Sequence, residues 1–269
     1  MRTRSAGLAL LFERVVMITL HPYPMWQRQM LKWFFALVIV KLCWFFFFIV
    51  FRAPDWHPLF QVNGLAIRGG DSFTYYEAME AFVQHGQYAG ACRMPGLLPV
   101  YWPLRWFIGE ESAMVGMIFI QLAVDVLATW MLAVFAARVF GAHRSFFITL
   151  ALASLSTFVA IRSNYLLSDS LCISFFILSA YFLSSYFLNA SKGALWLSGG
   201  FFVWSIFLRP IMIVVIPVIL LLMLLHHRDW RKVTRTAMMW MMPIVLVLGL
   251  WFARNKVVYG RNILLVAPL

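Results

Sequence analysis

Residues 195–225 read LWLSGGFFVWSIFLRPIMIVVIPVILLLMLL, an apolar run whose one charged side chain is Arg209. It can form one long helix or two shorter ones that meet at Arg209-Pro210, and periodicity does not choose, because every face is apolar. Charge chooses. A single helix would move the basic stretch HHRDWRKVTR, residues 226–235, to the side that carries the acidic loops. Two helices keep it with the other basic loops, as the positive-inside rule requires. The chain is therefore expected to turn at Arg209-Pro210.

Working outward from that turn, runs near the roughly 20 residues needed to cross a bilayer fall at 31–51, 113–137, 146–161, 170–188, 194–208, 210–225 and 237–253. Seven crossings that begin inside give the cytoplasmic side twelve basic side chains against two acidic, and the other side nine against seven. The composition agrees. The 269 residues are 63% hydrophobic and 12% charged, with a mean hydropathy of +0.84, against roughly 45–50% apolar and about 25% charged in soluble domains. These figures exclude a soluble globular domain and a disordered chain. With 22 Lys and Arg against 10 Asp and Glu the net charge is +12, which in a membrane protein belongs to cytoplasmic loops and anionic lipid, not to nucleic acid. The expected fold is all-α: a polytopic membrane protein of about seven transmembrane helices, with an outer loop of short amphipathic helices between helices one and two.

Residues 1–30 read as a cytoplasmic tail, since Glu13 and Arg14 interrupt the only apolar stretch and no cleavage site follows. Residues 31–269 form the membrane module, with residues 52–111 as its outer loop. Within that loop, DSFTYYEAMEAFVQHG at 71–86 starts with two capable caps and puts Phe73, Tyr76, Ala81 and Phe82 near one face. GLLPVYWPLRWFIGEE at 96–111 has Trp toward both ends, the pattern of a helix lying at the interface. Of the three cysteines, Cys43 and Cys172 sit in apolar runs and Cys92 is alone, so no disulfide framework is expected. His226-His227 reads as a solvated face of the basic loop, and the sequon Asn189-Ala190-Ser191 falls on the inner side.

The topology delivers Asp71, Asp169, Arg209 and Arg254 to one leaflet from four separate segments. Two carboxylates and two guanidiniums suit a reaction in which a hydroxyl is deprotonated while a phosphate leaves, because Asp serves as a general base and Arg binds phosphate bidentately. The structural alternative is that each Asp caps a helix and each Arg snorkels to headgroups.

These segments resemble the GT-C membrane glycosyltransferases, in the branch of protein O-mannosyltransferases and aminoarabinose lipid A transferases. Asp71, Tyr75, Gly86 with Tyr88, and Arg93, Pro95 and Gly96 match the first outer loop of that family. LLSDSL around Asp169, GGFFVWSIFLRP ending at Arg209-Pro210, and WFARNKVVYG around Arg254 match its later motifs in the same order, from about Lys32 to Gly260. The resemblance implies inverting transfer of a hexosyl or pentosyl unit from a polyprenyl-phosphate donor to a glycan, lipid or protein acceptor on the periplasmic or luminal face, and the expected location is a bacterial inner membrane. It implies Asp71 as catalytic base and Asp169 as its support or the acceptor's. Phosphate would fall to Arg209 or Arg254, Arg93 would brace the loop or touch the donor, and Tyr75 and Tyr88 would support the loop. No cofactor beyond the lipid-linked sugar is implied, and a divalent metal is not assigned. Relatives continue beyond the seventh span, so the chain is expected to be their N-terminal membrane module, a truncated or inactive form included. The competing reading is a non-catalytic protein that binds or moves polyprenyl-phosphate lipids, or a subunit supporting a longer transferase.

Two ionisable residues stand deep inside spans, Lys41 in the first and Asp125 in the second. A charge at that depth costs about 2.5–3.5 kcal/mol on insertion scales. Lys41 lies roughly 15 Å from either interface, too far to snorkel. Consecutive antiparallel helices put the two at one level, so the expectation is a structural clasp between them.

Overall fold

A computed structural model describes residues 27–52, 61–62, 66–67, 72–86, 88, 93–156, 165–227, 229–260 and 262. The described chain runs α1 Gln27–Arg52, β1 Gln61–Val62, β2 Ala66–Ile67, α2 Ser72–His85, α3 Leu98–Ile108, α4 Glu110–Phe140, α5 His143–Ser154, α6 Ser168–Asn189, α7 Lys192–Leu208, a 3-10 turn Pro210–Val215, α8 Ile216–His227 and α9 Trp230–Tyr259. It is helical apart from the antiparallel pair β1–β2, two residues each, which the sequence pattern did not announce. Among the described residues five stretches are long and apolar enough to cross a membrane: Met30–Val50, Glu110–Phe140, Ser168–Asn189, Pro210–His227 and Trp230–Tyr259. The apolar α7 is shorter at 17 residues, and α5 has 12.

The order of contacts shows the helices alternating in direction. Tyr75 meets Ser168 at the start of α6, and Trp204 near the end of α7 meets Gly96, so these ends lie together. At the opposite end Tyr186 of α6 bonds His227, the last residue of α8, and Thr236 in the second turn of α9. Because α7 starts three residues after α6 ends, while α8 ends beside Tyr186, the chain reverses between α7 and α8. Arg209 breaks the helix there, with an extended backbone at φ −142° and ψ 105°, and Pro210 opens the 3-10 turn. The turn between α6 and α7 is tighter. Ala190 takes a left-handed φ of 52°, and the Ser191 side chain caps the amide of Ala194.

Several helices outrun the apolar windows that announce them. α4 extends from 113–137 to 110–140, because Glu110 and Glu111 in its first turn and Arg138 in its last complement the helix dipole, and Gly141 ends it at φ 61°. α9 extends from 237–253 to 230–259 on an N-cap from Asp229, and it runs through Pro243. α1 starts at Gln27, inside the expected tail, whose residues 1–26 lie outside the described residues. α5 starts at His143, three residues before the run expected at 146–161, and covers 146–154 of it; residues 157–164 lie outside the described set.

Close backbone contact joins α6, α7 and α9. Ser179 donates to the Ser198 carbonyl at 2.9 Å, and Trp240 Nε1 donates to Ser198 Oγ at 3.1 Å. Beside them, a Cβ on Gly199 would fall on the Trp240 carbonyl oxygen and 2.7 Å from Pro243 Cγ, so any larger residue forces the helices apart. On the other side of the bundle, Lys41 Nζ lies 2.8 Å from Asp125 Oδ2, with 1% and 5% of the two side chains exposed. The same ammonium reaches the Ala153 carbonyl of α5 at 3.4 Å, so one buried charge ties α1, α4 and α5.

Removing one member of a buried ion pair strands the other, at a typical cost of about 3–5 kcal/mol. Lys41→Met is therefore expected to lower the thermal midpoint in detergent more than Lys41→Met combined with Asp125→Leu, and additive losses across that double-mutant cycle would show that the pair contributes nothing.

Candidate functional site

The site lies at the end of the bundle where α2, α3, α6, α7 and α9 meet. α2 docks there through a buried face made of Ser72, Tyr75, Ala78, Met79 and Glu80. This face is rotated from the expected one: Phe73, Tyr76 and Phe82 are half-buried at its margins, since the tyrosine that anchors the helix is Tyr75, whose hydroxyl lies 2.8 Å from Ser168 Oγ. Arg93 packs over the Tyr75 ring at 5.0 Å and donates to Thr74 Oγ1 at 3.0 Å, so it braces α2 against the following loop.

That loop is seated on α7. Trp204 Nε1 donates to the Gly96 carbonyl at 2.9 Å, and a Cβ on Gly96 would sit 2.5 Å from the Phe207 carbonyl oxygen. Only glycine lets the two backbones approach this closely. From the other side α9 holds the loop at Tyr88, whose carbonyl accepts from Arg254 Nη2 at 3.0 Å and from the Tyr259 hydroxyl at 2.8 Å. The Tyr88 hydroxyl in turn donates to the Met94 carbonyl at 3.2 Å, and burial pushes its pKa above the ordinary phenol value, so it stays a donor.

Between the loop, α7 and α9 is a cavity of about 740 Å³. Its walls are mostly apolar, with Trp204, Phe207, Val247 and Trp251 among them, and Arg254 and Tyr88 border it. The Arg254 guanidinium stacks over Trp251 at 5.0 Å and Tyr259 at 5.2 Å and donates to Asn255 Oδ1 at 2.9 Å. Its partners among the described residues are all neutral. A cation at the margin of an apolar cavity, with no carboxylate against it among the described residues, suits an anionic group carried on an apolar body.

Arg209 differs. It forms an ion pair with Asp169 at the start of α6, so the two residues expected to act on separate groups are brought together with each other. Neither residue borders the cavity. Asp71 lies outside the described residues, as does Cys92, and α2 begins at the residue after Asp71. Cys43 and Cys172 are free thiols. His227 is no solvated residue of a basic loop: its Nε2 meets Tyr186 and Thr236, because the antiparallel arrangement folds the end of α8 back onto α6 and α9. Among the described residues no three His, Cys, Asp or Glu side chains converge as metal ligands would.

One cluster at this end was missed in the sequence. Glu80, buried on α2, accepts from the Tyr101 hydroxyl and from Arg105 Nε at 3.1 Å, both on α3. Tyr76 donates to Glu110, and Arg105 Nη2 lies 3.7 Å from the same carboxylate, which carries the network to the first turn of α4. Burial and then the bond to Glu80 raise the Tyr101 phenol well above its usual range, and the bond to Glu80 raises the Arg105 guanidinium. Both remain donors at every physiological pH. The signal was present, since Glu80 stands one turn after Tyr76 and next to Met79 on a short helix. α3 turns Trp102, Trp106 and Phe107 outward, while Leu98 and Pro99 at its other end line the cavity.

Comparison of the chain with protein-family models, curated proteins and solved structures finds no match.

Loss of the Glu80 carboxylate leaves Tyr101 and Arg105 without their acceptor, a typical cost of about 1–3 kcal/mol. Glu80→Ala should therefore lower the thermal midpoint and expose α3 to limited proteolysis, whereas Glu77→Ala, on the exposed face of α2, should change neither.

Proposed function

We propose that the chain is a membrane glycosyltransferase of GT-C type that takes a sugar from a polyprenyl-phosphate donor. One observation supports this best: Arg254, whose described partners are neutral, borders an apolar cavity of about 740 Å³. A donor of this class has the matching chemistry, with phosphate for the guanidinium and isoprenoid for the walls of Trp204, Phe207 and Val247. The loop that carries Arg93, Pro95 and Gly96, one of the segments that resemble the family, forms one side of that cavity through Pro95 and Gly96.

In the proposed reaction the acceptor hydroxyl oxygen attacks the anomeric carbon from the face opposite the phosphate. Its proton passes to the Asp71 carboxylate. The bond from the anomeric carbon to the phosphate oxygen breaks, and polyprenyl phosphate leaves with the electron pair, held by Arg254. The configuration at the anomeric carbon inverts. Asp169, neutralised by Arg209, holds α6 against the turn after α7 and so fixes the floor on which α2 docks. The full reading has seven crossings with the N-terminus cytoplasmic and residues 52–111 on the periplasmic face of a bacterial inner membrane. The acceptor is a glycan, a lipid or a protein.

A second reading rests on the same cavity without the chemistry: a protein that binds or carries polyprenyl-phosphate lipids, or that supports a longer transferase. Two substitutions separate the readings. Arg254→Gln is expected to weaken retention of polyprenyl phosphate at least tenfold in native mass spectrometry and to abolish sugar transfer. Asp71→Asn should keep the lipid and lose transfer by a factor of about 10²–10⁴, the usual contribution of a general base. Unchanged transfer in Asp71→Asn membranes would remove the base from this loop, and lipid retention with no transfer in the wild type would favour the second reading.

A further inference from the structure

A second groove, of about 940 Å³, runs along one face of α9, far from the loop and at the end of the bundle where α6 and α8 finish. Its upper part is polar, with Arg231, Thr234 and Arg235 beside Trp230, which is 70% exposed. Its lower part is apolar, and Met238, Met242, Val245 and Leu246 line it in the exposed state. The two arginines are one turn apart and face the same way. Among the described residues neither forms an ion pair. Asp229, the acid nearest in the chain, is used as the helix cap and accepts from the Arg231 amide at 3.0 Å.

We propose that this groove is a binding site for one anionic phospholipid, with the phosphate between Arg231 and Arg235 and an acyl chain along Met238, Met242 and Val245. Length supports the match. From Met238 to Leu246 the helix rises about 12 Å at 1.5 Å per residue, close to the roughly 15 Å hydrocarbon depth of one leaflet. The arginines then stand at headgroup level, where Trp230 also belongs.

Residue type separates a lipid from a protein partner. Helices that dock on one another in a bilayer meet through Gly, Ala or Ser, which let backbones approach. The lining of this groove contains none of these. It is rich in Met, whose unbranched and polarizable side chain adapts to a partner without fixed shape, as an acyl chain is. Charge complementarity adds the headgroup: two guanidiniums with no ion pair among the described residues favour an anionic phosphate over a zwitterionic one, by about 1 kcal/mol for each arginine near the surface, or about fivefold.

Native mass spectrometry of the full chain, delipidated in detergent and titrated with phosphatidylglycerol or phosphatidylcholine, tests this. The expected result is one tightly retained phosphatidylglycerol, weakened about fivefold by Arg231→Gln or Arg235→Gln and about 25-fold by both. Arg144→Gln, a basic site at the same end on α5, should leave retention unchanged. Val245→Trp, which fills the groove and leaves both arginines intact, should also displace the lipid. Equal retention of the two lipids, an equal loss with Arg144→Gln, no loss with Val245→Trp, or a dimer that forms in place of lipid binding would each overturn the proposal.

Discussion

Helices inside a bilayer gain nothing from the hydrophobic effect by meeting one another, because lipid tails are as apolar as leucine. What holds them must be close packing and internal hydrogen bonds. In this chain both are concentrated where α6, α7 and α9 cross, with Gly199 against the Trp240 carbonyl and the Ser179–Ser198–Trp240 bonds beside it. The remainder follows from that seam. It sets α7 against α9, and the space left between them beside the seam is the cavity that Gly200, Val203 and Val247 line. The loop of Tyr88 and Gly96 then closes a space whose two long walls are already fixed.

Much of the helical arrangement could be read from the sequence because hydropathy and charge report directly on the bilayer. The reversal at Arg209-Pro210 came from the sign of a basic loop twenty residues away, and Lys41 and Asp125 were matched because no other charge lies deep in a span. The cavity could not be read. It arises from the absence of side chains at Gly96 and Gly199 and from one backbone carbonyl, that of Tyr88, and neither has a hydropathy signature. The Arg209–Asp169 pair was hidden for a different reason. The order of residues placed both at the same leaflet, but only the packing of α6 on α7 decides that they meet each other and leave Arg254 to face the cavity. Glu80 escaped because an acidic residue on a short amphipathic helix is ordinarily a solvated one.

Charges in this molecule thus fall into kinds with different costs. Lys41 and Asp125 are sealed from solvent and offset each other, and Glu80 is offset by Arg105 and a phenol. Arg254 instead rests on aromatic faces and neutral acceptors. Aromatic stacking offsets part of its desolvation without supplying a counterion. Among the described residues no carboxylate stands against Arg254, so the proposed phosphate would not have to displace one.

The carbonyl of Tyr88 has a further consequence, in the timing of biosynthesis. Its partner Tyr259 lies 171 residues later in the chain. At about 5–20 residues per second, the loop waits roughly 10–30 s after its own synthesis before the group that fastens it has been made. Gly96 likewise waits for Phe207. Before α6 and α7 are made, the described contacts of α2 and α3 are with each other and the first turn of α4, through Glu80, Tyr101, Arg105 and Glu110; Tyr75 then gains Ser168 and Gly96 gains Trp204. The wall of the cavity that α9 supplies through Val247, Trp251 and Arg254 is thus the last part of it to be made.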